Sequence, residues 1–269
     1  MNILKTDKLA CPIDGTRLKS DEKQLSCDNG HTFDIARQGY VNLLPVQHKR
    51  TKHPGDSKAM VLARTRYLET GIYTDISRKL NEIAATLITG KQQACILDAG
   101  CGDGYYSAAL LKYLSDIDEQ LTLSFIGLDI SKEAVIQASK RNKQISWVVG
   151  SNRKPPVTDE SIDLITCLFG FFSTEGFTAA LAATGKVISV DPGPDHLKEL
   201  RQIIYPEIKK TPATDSSRIE YAGFSLLQSE RLRYRAKISS SEQINNLLIM
   251  TPHFYRASKT GREAASKLQ

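Results

Sequence analysis

The spacing of apolar residues changes twice along the chain. Over residues 1–56 no helical period appears, and Gly15, Gly30, Gly39, Pro45, Pro54 and Gly55 interrupt the short apolar runs, which predicts short strands and turns in a small module. From Ser57 the period becomes helical: Met60, Leu62, Ala63, Tyr67 and Leu68 recur up to Gly71, and Ile76, Leu80, Ile83, Ala84 and Leu87 up to Gly90. Beyond Gly90, continuous apolar runs alternate with helical ones. The runs predict strands at Ala94–Leu97, Leu121–Leu128, Ile145–Val149, Ile162–Leu168 and Lys186–Val190, with helices over Tyr105–Leu114 and Ser131–Arg141. Such alternation signals a parallel sheet covered by helices on both faces. Further on, the pattern predicts a helix over Asp195–Lys209, a loop over Thr211–Arg218, a long strand or hairpin over Phe224–Ile238, a helix near Ser240–Leu248 and a strand-like Pro252–Ala257. The chain thus divides into a module (1–56), a helical linker (57–90) and an α/β domain (91–269).

Composition narrows the classes. With 269 residues, 41% hydrophobic and 25% charged, the chain can bury a core and is not disordered overall. No stretch approaches the ~20 apolar residues of a membrane span, and Met1–Ala10 lacks an apolar signal core, so a soluble cytoplasmic protein with no membrane partner is expected. Cysteines 11, 27, 95, 101 and 167 do not form a disulfide framework, since the last three fall in or beside predicted buried strands. The net charge of +6 favours an anionic partner. Its excess is concentrated outside the run of alternating strands and helices: residues 228–269 hold eight Lys/Arg against three Asp/Glu, and His48-Lys49-Arg50-Thr51-Lys52-His53 forms a second cluster.

Ile96-Leu97-Asp98-Ala99-Gly100-Cys101-Gly102-Asp103-Gly104 puts a carboxylate and alternating glycines between the first α/β strand and its helix. Ligands of open α/β sheets bind at such strand ends. The second strand ends in Gly127-Leu128-Asp129, whose carboxylate can accept hydrogen bonds from both hydroxyls of a ribose. An NAD-binding unit or a degenerate loop would share the glycines. The spacing Asp-x-Gly-x-Gly-x-Gly resembles the first motif of class I S-adenosylmethionine (SAM)-dependent methyltransferases. That resemblance implies that Asp98 faces the methionine amino end and that Gly100, Gly102, Asp103 and Gly104 line the cofactor, with Asp129 on the ribose. Gly150-Ser151-Asn152, after the third strand, either faces the adenine or is an ordinary turn.

In the module, Cys11-Pro12-Ile13-Asp14 and Cys27-Asp28-Asn29-Gly30-His31 have the pair-plus-pair spacing of a structural zinc knuckle, with Asp14 at one ligand position. Zinc accepts Cys, His and a carboxylate oxygen. A module this small buries little core, so a metal would account for its folding. The alternative is two leftover thiols in a site that has lost its metal.

The run His31-Thr32-Phe33-Asp34-Ile35-Ala36-Arg37-Gln38-Gly39-Tyr40-Val41-Asn42-Leu43-Leu44 is more specific than either motif. It resembles the segment after the zinc knuckle in the RlmA/TlrB family of 23S rRNA guanine-N1 methyltransferases. The likeness continues through Pro54-Gly55-Asp56-Ser57, Gly71-Ile72-Tyr73, the glycine motif with Tyr105-Tyr106, Pro192-Gly193-Pro194-Asp195-His196-Leu197 and Met250-Thr251-Pro252. It implies a zinc module joined to a class I, doubly wound methyltransferase domain, zinc on Cys11, Asp14, Cys27 and His31, and cofactor contacts from Tyr73 and His196. It also implies methyl transfer from SAM to N1 of a guanine in a domain II hairpin loop of 23S rRNA, by a chain that can form a homodimer. The competing readings are a SAM-dependent enzyme acting on another RNA position or a small molecule, and a noncatalytic RNA-binding protein.

Three positions depart from the family pattern: Asp14 replaces a cysteine, Leu181-Ala182-Ala183-Thr184-Gly185 replaces a Leu-Lys-Pro-Gly-Gly turn, and Cys167-Leu168-Phe169-Gly170-Phe171-Phe172-Ser173 is unusually aromatic. Guanine N1 carries a proton that must leave on methylation, and a carboxylate or His is the natural base. Asp191, Glu175 and His196 could each serve, and the sequence does not choose among them.

Overall fold

The computed structural model describes residues 1–21, 23–48, 51–205, 207, 223–238, 240–251 and 258–266; the stretches Thr211–Arg218 and Pro252–Ala257, and Lys49 and Arg50 of the basic cluster, lie outside them. In chain order the elements are β1 (Asn2–Leu4), β2 (Lys19–Asp21), β3 (Gln24–Ser26), β4 (Thr32–Asp34), β5 (Tyr40–Asn42), α1 (Lys58–Glu69), α2 (Thr74–Ile88), β6 (Gln93–Ala99), α3 (Tyr105–Ile117) and β7 (Thr122–Asp129). There follow α4 (Lys132–Arg141), β8 (Ser146–Val149), β9 (Ile162–Leu168), α5 (Thr174–Ala180), β10 (Leu181–Val190), α6 (Lys198–Ile204), α7 (Ser241–Met250) and α8 (Lys259–Ser266).

The chain forms two compact units. The first comprises Met1–Ser57 and Asp75–Val190, the second Lys58–Thr74 and Asp191–Gln269. The first is built on a sheet of order β10-β9-β6-β7-β8-β5, with β1 added to the edge of β7 that β8 occupies further along. All of its pairings are parallel. Parallel strands are covered on both faces, and β6, β8 and β9 are accordingly buried almost throughout. Strand order reverses between β6 and β9, which opens the crevice where such sheets bind ligands. The antiparallel β2-β3-β4 forms a separate small sheet.

Trp147 of β8 keys the core behind the end of the glycine turn. A Cβ on Gly127 would stand 2.2 Å from its ring, and one on Gly104, where φ is +77°, would stand 2.7 Å from it. Glycine at both positions lets β7 and the start of α3 close on the indole, whose Nε1 donates to the Asn142 carbonyl at 2.7 Å.

In the second unit α1 packs on α7 and α6 on α8. Arg64 donates to the Met250 carbonyl at 3.1 Å, and Gly261 lies so close to Ile204 that a Cβ would meet its carbonyl oxygen at 2.1 Å.

The segments group differently from the module, linker and domain read from the pattern. Residues 1–56 are sewn into the large sheet by β1 and β5, and the two helices of the linker part company, α1 joining the C-terminal segment. Residues 224–238 form no strand; they run as an exposed, irregular segment, and alternation alone did not supply a neighbouring strand to pair with among the described residues. The helix expected from Asp195 begins only at Lys198, after Leu197 at φ 50°, and a helix not expected, α5, is capped by Ser173.

Candidate cofactor and metal sites

The loop from Asp98 to Gly104 is held to the end of β7 by its own backbone. Gly100 and Cys101 N–H donate to the Leu128 carbonyl at 2.7 and 3.0 Å, and Gly102 N–H donates to Asp129 Oδ2 at 2.9 Å. The other oxygen of Asp129 accepts from Ser131 N–H at 2.8 Å, so the carboxylate is fixed between the loop and α4 while staying part-exposed. A Cβ on Gly102 would meet nothing within 4 Å. An open cradle beside a fixed carboxylate at a strand end fits a nucleoside cofactor such as SAM, whose ribose hydroxyls would donate to Asp129.

Asp98 lies beneath this loop and is only 2% exposed. Thr166 of β9 donates to its Oδ1 at 3.0 Å and Ser107 of α3 donates to its Oδ2. Burial pushes its carboxyl up to about 6, against the pull of the two hydroxyls. Asp98 thus ties β6, β9 and α3 together under the turn. Asp103, expected to line the cofactor, is turned inward: it is 2% exposed and paired with Arg141 of α4 at 2.7 Å. Its contribution is to clamp the loop end to α4. Asn152 stands near Gly100 and donates to the Phe171 carbonyl at 3.0 Å.

Tyr73 and His196, 123 residues apart in sequence, meet in the second unit, with the hydroxyl 3.3 Å from His196 Nε2. Tyr73 is buried edge-on against Tyr67, ring centroids 5.9 Å apart. Burial raises both phenols, Tyr67 to about 12, so both are protonated near neutral pH.

In the N-terminal module two tight turns face each other. Gly15 N–H bonds to the Cys11 carbonyl at 2.8 Å and Gly30 N–H to the Cys27 carbonyl at 3.0 Å, each glycine in the left-handed region. Cys11, Asp14, Cys27 and His31 converge, their ligand atoms all within 4.8 Å of one another. His31 Nδ1 is 3.5 Å from Cys11 Sγ, 3.4 Å from Cys27 Sγ and 3.0 Å from Asp14 Oδ2; Cys27 Sγ is 3.5 Å from the same oxygen. A tetrahedral zinc with bonds of about 2.3 Å to sulfur and about 2.0–2.1 Å to nitrogen and oxygen has S···N edges of about 3.5 Å and an N···O edge of about 3.3 Å. The four donors fit that ion.

Asp14 is prepared for the role. Thr16 donates to Oδ1 through its backbone N–H at 2.9 Å and its hydroxyl at 2.6 Å, which leaves Oδ2 aimed at the thiols and the imidazole. Asn29 steadies Oδ2 at 3.0 Å. These bonds hold the carboxyl well below its usual range. The supports Thr16, Asn29, Ser107, Thr166 and Arg141 were not singled out from the sequence. Only Thr166 left a signal there, as a polar residue inside the apolar run Ile162–Leu168.

The metal cluster and the glycine turn each fall within a segment that matches a known protein family. Residues 9–52 match the zinc-ribbon model described as RlmA, N-terminal, and residues 96–189 match a methyltransferase domain. The chain is 30% identical to YxjB of Bacillus subtilis (strain 168), which carries a provisional name as a 23S rRNA (guanine-N(1)-)-methyltransferase; the match covers 93% of this chain and 87% of the relative. It is 33% identical to the 23S rRNA (guanine(748)-N(1))-methyltransferase of Streptomyces fradiae, over 71% of this chain and 66% of the relative. Among solved structures, the YcgJ protein from Bacillus subtilis is 17% identical with a TM-score of 0.45, over 68% of this chain and 86% of that one.

Proposed function

The chain belongs to the RlmA family of 23S rRNA (guanine-N1)-methyltransferases, and from that premise we propose that it transfers the methyl group of SAM to N1 of a guanine in a domain II hairpin loop of 23S rRNA. The observation that carries the reading is the joint presence, in one structural unit, of a four-donor metal cluster and a glycine turn locked to Asp129. The Streptomyces fradiae relative is named for position 748, which supports one specific guanine as the target.

SAM, when bound, supplies a methyl group already activated on a sulfonium. The chain's own part is positioning. Asp129 would accept the ribose hydroxyls and Asp98 keeps the turn in place from beneath, while Tyr73 and His196, to which the family resemblance gives cofactor contacts, pair with each other within the second unit. Cys11, Asp14, Cys27 and His31 would hold zinc and shape residues 1–56 to grip RNA. The exposed Arg231, Arg233, Arg235 and Lys237 offer a cationic track for phosphates, with Arg233 partly committed to Asp195 at 2.8 Å. The family resemblance further supports a cytoplasmic homodimer. Among the described residues no helix is long and apolar enough to cross a membrane.

A methyl group on N1 blocks the pairing edge of guanine, so reverse transcription stops beside it. Incubating the protein with SAM and an unmodified domain II transcript should produce a single new stop in a hairpin loop. A stop elsewhere, or methylation without any stop, would move the target.

A further inference from the structure

Three phenylalanines lie within four residues after β9, and the structure treats them differently. Phe169 sits in the left-handed region at φ 54°, its N–H bonded to the Val190 carbonyl at 2.8 Å and its ring packed against the core. Phe172 meets the fully buried Phe177 edge-on, centroids 5.0 Å apart. Between these two anchors Phe171 is left outside, 53% exposed. A scattered exposed apolar side chain needs no special explanation. This one, however, is held: the Asn152 side chain donates to its carbonyl, and the Arg153 guanidinium lies 4.7 Å from its ring centroid. A strained backbone at Phe169 that places an exposed ring is the kind of feature that collects at ligand sites. Its location is the crevice at the strand-order reversal, since Gly170 Cα lies 3.7 Å from where a Cβ on Gly100 would stand.

We propose that Phe171, braced on one side by Arg153, is the platform on which the base to be methylated stacks. The inference rests on the RNA guanine reading given above. A guanine taken out of an RNA loop loses its stacking, and an aromatic ring that replaces it offsets that cost. The platform rises from the end of β9, on the far side of β6 from Asp129, so it stands apart from the carboxylate suited to the cofactor's ribose. The cofactor also carries a purine, adenine, and the test separates the two. Arg153 is a positioning residue that acts through the ring it covers.

The experiment uses the full-length protein, an unmodified domain II transcript and labelled SAM, with SAM affinity measured separately by calorimetry. Phe171→Leu keeps the bulk and removes the π face, and should lower kcat/KM for RNA about 10- to 100-fold while SAM affinity stays within about twofold. Phe171→Tyr should recover most of the loss. Arg153→Ala should lower transfer less, and adding it to Phe171→Leu should cost nothing more, because both act through one ring. Wild-type transfer by Phe171→Leu would overturn the platform, and additive losses would overturn the bracing. A parallel loss of SAM affinity would reassign the ring to adenine. A wild-type protein that methylates no RNA guanine would overturn the functional reading and the platform with it, whereas an active wild type with an indifferent Phe171 overturns the platform alone.

Discussion

Asp14 and Asp98 belong to the same structural unit and each anchors one of its candidate sites, yet their surroundings push them in opposite directions. Asp14 lies at the surface, where three donated hydrogen bonds from Thr16 and Asn29 hold it well below the ordinary carboxylate range. Asp98 is almost wholly buried, and two hydroxyl donors do not offset its desolvation, so it rises to about 6. The first is an anion made ready for a cation. The second is an internal brace whose charge is held at a cost, under a loop that has to stay rigid.

Metal removal should break the comparison most severely. A module with a sheet of three 3-residue strands has little core of its own, so stripping zinc removes what orders it. Chelation should abolish amide-exchange protection across Cys11–Thr16 and Cys27–His31 and leave that of β6, β7 and β9 in place. Retained protection in both turns of a metal-free sample would show that the module folds without zinc.

Asp98→Asn comes next. The folded carboxyl keeps its proton up to about pH 6, while an unperturbed one releases it near 3.8. Between those values the folded state binds more protons, so this group's contribution to stability is lost as pH rises through the window, by about 3 kcal/mol at most. The variant has no such loss. Its melting temperature relative to the wild type should therefore be higher at pH 7 than at pH 4.5, and a pH-independent difference would rule out the buried-charge account.

The smallest effect is expected from Thr16→Val, which removes one support of Asp14 but no ligand. Zinc affinity, read by competition with a chromophoric chelator, should fall about tenfold. Equal affinity would mean that Asp14 needs no help to present its oxygen.

How much of this was legible differs between the two sites. The sheet could be read because its central strands are continuous apolar runs, and both motifs because their spacings are local: Asp98 to Gly104 is one turn, and Cys11 with Asp14 another. Partners distant in sequence were hidden. Nothing near Asp103 announces that Arg141 will take it inward, and Tyr73 and His196 are linked only by the family resemblance, not by any local pattern. The 3-residue β1 and β5 are too short to show a period, so their place in the large sheet was not foreseen. Over 224–238 the pattern misleads in the other direction, because the alternating cations and apolar residues at 231–237 describe an exposed extended segment as well as a strand.

The chemistry of the product decides the function most directly. Unmodified 23S rRNA would be incubated with the protein and SAM carrying a deuterated methyl group, then digested to nucleosides and analysed by mass spectrometry. Label confined to N1-methylguanosine, about one per rRNA molecule, is the predicted result. Label in any other nucleoside, or none while SAM still binds, would contradict it.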